Sequence, residues 1–181
     1  MNKSRQKGAG MIEVLVTVII TAVGLLGASA MQAKLQLSEL ESYQRAQAVM
    51  IMHDMANRMM ANRNNVASYA STTTYGGTTA CPTSDTTLLQ RDLKEWCETL
   101  QGASETLSSS NVGAMIGGRG CIENVSPGTY MITVSWQGMS STSAPQSSVS
   151  CGLNAYNDAA ADCADDKCRR AVTTLVRVAD L

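Results

Sequence analysis

Between Lys7 and Lys34 the only charged side chain is Glu13, at the head of the run KGAGMIEVLVTVIITAVGLLG (7–27). A charge held in hydrocarbon costs about 2.5–3.5 kcal/mol on insertion scales, so an apolar segment that keeps one needs a reason. The chemistry Glu13 offers is ion pairing, since two isolated charges in a low dielectric are each costly and a pair offsets much of that cost. A second set of reactive side chains is Cys81, Cys97, Cys121, Cys151, Cys163 and Cys168, all after residue 80. An even number confined to one region predicts a disulfide framework in an oxidising compartment. A metal reading needs C-x-x-C pairs or nearby histidine, and the single histidine, His53, is far upstream. Asp158, Asp162, Asp165 and Asp166 surround Cys163 and Cys168. Carboxylates in a loop suit calcium, yet the EF-hand spacing is absent. A solvated loop closed by a disulfide is the favoured expectation, with no metal or other cofactor. A Ser-His-Asp site would have to use His53, which falls in a helical segment, and no catalytic constellation is expected.

The elements that carry these residues follow from composition and periodicity. The chain has 181 residues, net charge −1 and 44% hydrophobic residues, which argues against a nucleic-acid binder and against a disordered chain. Phenylalanine is absent and methionine reaches 11, so the core is built from aliphatic side chains, Met, two Trp and five Tyr. Lys3, Arg5 and Lys7 form a basic head without an acid, and residues 14–31 carry no charge. Eighteen such residues span roughly 27 Å as a helix, close to the hydrocarbon thickness of a bilayer. Basic residues ahead of the run keep that end in the cytoplasm and send the rest outward, in agreement with the cysteines.

No proline precedes Pro82, and Leu37, Leu40, Gln44, Ala48, Ile51, Met55 and Met59 recur at spacings of three and four. The pattern predicts one helix over 9–63, apolar all round at first and then amphipathic, with the Met-rich stripe packed on its own head. Asn62-Arg63-Asn64-Asn65 supplies a stop. The segment 71–79 reads as a polar loop and 86–102 as a short helix with Leu89, Leu93, Trp96 and Leu100 on one face. In 129–138, Tyr130, Ile132, Val134 and Trp136 alternate with polar residues, predicting a half-buried strand. Its hairpin partner is 120–124 across the Ser126-Pro127-Gly128 turn, 140–150 is a loop, and 172–178 is a third strand. The two tryptophans read as core. The fold class is α+β: a long N-terminal helix packed on a small antiparallel sheet, with 64–181 as a disulfide-bonded head.

Several readings of the N-terminus compete. A cleaved secretory signal would end at Ala28-Ser29-Ala30, but its apolar core should be shorter and the helical pattern runs across that cut. A plain anchor leaves Glu13 unexplained, and no cysteine follows the run as a lipoprotein signal requires. The stretch KGAGMIEVLV resembles the leader of type IV pilins and pseudopilins: a basic peptide ending in Gly, four mostly apolar residues, a Glu, then an apolar helix. The match takes Gly8 as the last leader residue and Glu13 as the fifth of the mature chain; Ala9 stands where Phe is usual, and Gly10 is atypical. The segments IEVLVTVIITAVGLLGASAMQ, DLKEWCETL, GGRGCIENVSPGTYMITVSWQG, Cys151-Gly152 and Arg169-Arg170-Ala171-Val172 are similar in order to the PilV group of minor pilins, with 153–168 as an insertion.

This resemblance implies a fold, a processing event and partners. The leader is 1–8, cut between Gly8 and Ala9 by a prepilin peptidase that then N-methylates Ala9, and Glu13 pairs with a neighbouring subunit's amino terminus during assembly. The product is a non-enzymatic minor pilin. It starts in the inner membrane with its N-terminus cytoplasmic, and then joins a pilus with other minor and major pilins, an assembly platform and a tip adhesin. The order of the head motifs suggests the pairs Cys81–Cys97, Cys121–Cys151 and Cys163–Cys168. A minor pseudopilin of a type II secretion system shares the leader and fold; a signal-anchored or secreted disulfide-bonded binding protein is the rival of another class.

Overall fold

The computed structural model describes residues 9–103, 106–107, 110–111, 115–158 and 162–178, with no account of the side chains at 9, 106, 107, 110 and 111. The expected leader, including Gly8, lies outside the described residues. Helix α1 runs over Ala9–Ala61 without interruption, as a segment free of proline permits. It passes through two compact units that divide between Leu40 and Glu41.

In the first unit every residue from Gly10 to Leu40 is exposed. In the second, the face of α1 carrying Gln44, Ala48, Ile51, Met52, Met55 and Met59 is buried. The stripe expected from Leu37 therefore starts a turn later, because Leu37 and Leu40 are 47% and 48% exposed. A 3-10 turn, Arg63–Tyr69, follows and buries Val66 and Tyr69. Helix α2, Leu88–Leu100, opens on a capping box in which Gln90 N–H donates to Thr87 Oγ1 and Thr87 N–H to Gln90 Oε1, both 3.2 Å. Its Trp96 and Leu100 are buried, with Leu89 and Leu93 packed at the margin. Trp96 Nε1–H donates to the Ile51 carbonyl at 3.1 Å, tying α2 to α1.

The sheet has the order β1-β4-β5-β6, with β1 Tyr75–Gly76, β4 Arg119–Ser126, β5 Thr129–Gln137 and β6 Arg169–Arg177. All its pairings are antiparallel, and a separate two-stranded ribbon joins β2, Thr106–Leu107, to β3, Ser110–Asn111. The register sets Ile122 beside Ile132 and Val134 beside Val172, so one face of the sheet meets α1 and α2 across a shared core. Gly120 is required by that packing: a Cβ there would lie 2.3 Å from the Trp96 ring. Gly128, in the β4–β5 turn, has φ +68°, the region where glycine carries no steric cost.

Three sequence expectations change. Strand β5 is not half-buried, because Thr133 and Ser135 on its second face are also buried. Cys151 and Tyr156 fold over that face, with the Tyr156 hydroxyl 3.2 Å from Ser135 Oγ. The polar loop 71–79 contains β1, whose Tyr75 packs 5.8 Å from Trp96. Strand β6 starts three residues earlier than alternation indicated, since Arg169 is drawn into the interior.

Candidate assembly surface

In the first unit the helix is apolar on all sides over 14–31 and buries none of its side chains among the described residues. Met11 is 78% exposed and Leu26 is 71% exposed. Such a surface is unstable in water and calls for lipid or another helix. The hydroxyls of its uncharged stretch, 14–31, are satisfied within the helix. The hydroxyls of Thr17, Thr21 and Ser29 donate to the carbonyls of Val14, Thr17 and Leu25 at 2.8, 2.7 and 2.9 Å, the back-bonding that a membrane-embedded hydroxyl requires. Glu13 differs: among the described residues it makes no ion pair. At Gly10, Gly24 and Gly27 an added Cβ would meet nothing within 4 Å. Among the described residues no contact explains these glycines, whereas small residues let a second helix approach closely in lipid. This helix is long and apolar enough to cross a membrane.

The second unit is held by covalent and ionic ties. The structure joins Cys81 to Cys97, Cys121 to Cys151 and Cys163 to Cys168, with Cα–Cα distances of 5.6, 5.7 and 5.0 Å. The first ties the loop before α2 to that helix, the second fastens the 141–157 segment over β4, and the third closes the short turn before β6. Two aspartates at that turn make local contacts through their carboxylates. Asp166 is buried, faces Arg169 Nε at 3.3 Å and accepts from Asn154 N–H at 2.7 Å. Asp162 accepts from Ser141 Oγ at 3.2 Å, and the Asp158 carbonyl accepts from Cys163 N–H at 2.8 Å. Asp165 is exposed. No group of three potential metal ligands occurs among the described residues.

Sequence reasoning passed over a polar knot where α1, the 3-10 turn and α2 meet. Arg58 reaches Asp54 at 2.8 Å, Asp92 at 3.2 Å and Glu95 at 2.6 Å. The buried Tyr69 hydroxyl donates to Asp92 and accepts from Asn62 Nδ2 at 3.0 Å. Burial, then the hydrogen bond to the Asp92 carboxylate, pushes the Tyr69 phenol up to about 12. The three carboxylates hold the Arg58 guanidinium charged more firmly than usual, against its partial desolvation. The i,i+4 spacing of Asp54 and Arg58 was visible in the sequence; the partners on α2 were not.

A cleft of about 620 Å³ borders the Cys121–Cys151 disulfide, lined by Ser71, Thr74, Glu123, Asn124 and Ser150 among others. Ser150 donates to Glu123 there. His53 lies exposed on α1. Comparison with known proteins bears on the helix and on the start of the head. Residues 3–29 match the family model described as a prokaryotic N-terminal methylation motif, and residues 30–104 match the one described as type IV pilin Tt1218. No curated protein and no solved structure matches the chain.

Proposed function

We propose that this chain, which resembles type IV pilins over residues 3–29 and 30–104, is a structural subunit, a minor pilin of the PilV kind that helps to initiate or cap a type IV pilus. The observation that carries the reading is the exposed first half of α1, where the hydroxyls of Thr17, Thr21 and Ser29 are satisfied within the helix and Glu13, the one charge between Lys7 and Lys34, makes no ion pair among the described residues. Three residue-level roles follow. Gly8 and Ala9 flank the cut made by a prepilin peptidase, and Ala9 becomes the N-methylated terminus. Before the cut, Lys3, Arg5 and Lys7 hold that end on the cytoplasmic side of the inner membrane. Glu13 then docks each subunit by pairing with the amino terminus of its neighbour, which fixes axial register because either charge alone is costly in hydrocarbon.

The second unit, closed by three disulfides, is the part carried into the periplasm and then to the cell surface. Its partners are other minor and major pilins, the assembly platform and a tip adhesin. Edman or mass-spectrometric analysis of the mature N-terminus tests the reading. N-methyl-Ala9 is the expected result; a chain beginning at Met31 would mean a cleaved secretory signal and would remove the pilin role. Gly8→Leu should leave the precursor band unshifted.

A further inference from the structure

The two edges of the four-stranded sheet are built differently. At one edge β1 is two residues long and ends in glycine, the short edge that proteins use to discourage pairing. At the other, β6 runs nine residues in unbroken register with β5. Val178 N–H donates to the Gly128 carbonyl at 2.8 Å and Gly138 N–H to the Cys168 carbonyl at 2.7 Å. Even-numbered residues of β6 therefore exchange the ladder bonds with β5, as alternation in an antiparallel pair demands. Ala171, Thr173, Leu175 and Arg177 turn their N–H and C=O groups the other way. Among the described residues none of those groups has a hydrogen-bond partner, and no strand lies beyond β6.

The stretch AVTTLV (171–176) has no charge, proline or bulge to protect it. It is rich in β-branched residues, and Leu175 is 60% exposed. We propose that β6 is a docking edge that takes up an extended segment of another protein as a fifth strand. Four outward N–H/C=O sets spaced about 6.6–6.8 Å apart match one chemistry, an extended peptide backbone.

Charge selects the occupant. Lys167 precedes the strand and Arg177 ends it, both exposed and without an ion pair among the described residues; Arg169 and Arg170 already face Asp166 and Glu41. No acid lies on β6 itself. Pairing β6 antiparallel with a second copy in the register that sets Arg177 against Lys167 would place like charges directly opposite, which is destabilising. The edge fits instead a β-branched segment with carboxylates at its two ends.

The test uses the full-length protein in detergent micelles and a synthetic peptide of alternating valine and threonine flanked by aspartates, read by residue-resolved amide exchange. The peptide should slow exchange at Ala171, Thr173, Leu175 and Arg177 and leave the even-numbered amides of β6 unchanged. A lysine-flanked counterpart should bind about tenfold more weakly, and the double substitution Lys167→Glu with Arg177→Glu should reverse that preference. Thr173→Pro should abolish uptake with the sheet intact, because it removes an N–H that no bond in the sheet uses; Thr174→Pro should instead disrupt the β5–β6 pairing. The proposal is overturned by an absence of protection at the four outward amides or by equal binding of the two peptides. Protection that grows with protein concentration in the absence of peptide would assign the edge to a second copy and overturn the choice of occupant.

Discussion

One helix carries two surfaces. Over Gly10–Leu40, α1 buries no side chain and is apolar on all sides from Val14 to Met31; over Glu41–Ala61 it buries a stripe running from Gln44 to Met59 and leaves the rest to water. The backbone is one continuous helix through both halves. The difference lies in where the apolar residues fall, and that arrangement settles what each half can pack against. A stripe is completed by a sheet of the same chain, whereas an apolar cylinder needs an apolar surround or other helices.

Substitutions that shrink a side chain separate the halves most sharply. Met55 is fully buried, so Met55→Ala should cost about 2–5 kcal/mol of stability in the second unit, measured by denaturant unfolding in detergent. Leu25→Ala should leave that transition within about 0.5 kcal/mol of the parent. A large effect of Leu25→Ala on the head would break the comparison. Removing the Cys121–Cys151 bridge by double serine substitution should cost about 3 kcal/mol, since it closes a long loop in the unfolded chain. Membrane retention should not change, because that bridge lies wholly in the second unit. Fractionation of the variant alongside its unfolding curve checks both halves of the statement.

Alkaline pH gives a smaller effect. The Tyr69 phenol titrates at about 12 in the folded head and near 10 unfolded. The folded state keeps its proton where the unfolded state has lost it, so this stability is whole below pH 10 and falls as pH rises from about 10 to about 12. The loss amounts to roughly 2 kcal/mol. Tyr69→Phe should flatten the dependence, which urea unfolding at pH 9, 10 and 11 would reveal.

Local spacing made the long helix, α2, the β4–β5 hairpin and the core face of β5 legible. Each is written within ten or so residues: Thr87 and Gln90 three apart, Tyr130 to Trp136 alternating, Pro127-Gly128 at a turn. What stayed hidden depends on distant partners. The second face of β5 is buried because Cys151 and Tyr156 return to it, although Thr133 and Ser135 look like solvent residues. Strand β1 exists because Tyr75 and Gly76 find β4 more than forty residues on. Arg58 reads as a solvated charge until α2 brings Asp92 and Glu95 to it. Glu13 was conspicuous from the start, since a lone carboxylate in an apolar run is costly wherever the chain goes.

The quantity that tests the account most directly is the share of Glu13→Ala chains recovered in sheared pili, relative to the membrane fraction. The account predicts normal cleavage, normal membrane content and a loss of at least tenfold in the pilus fraction. Incorporation equal to that of the parent would contradict it, because the carboxylate would then have no part in docking one subunit against the next.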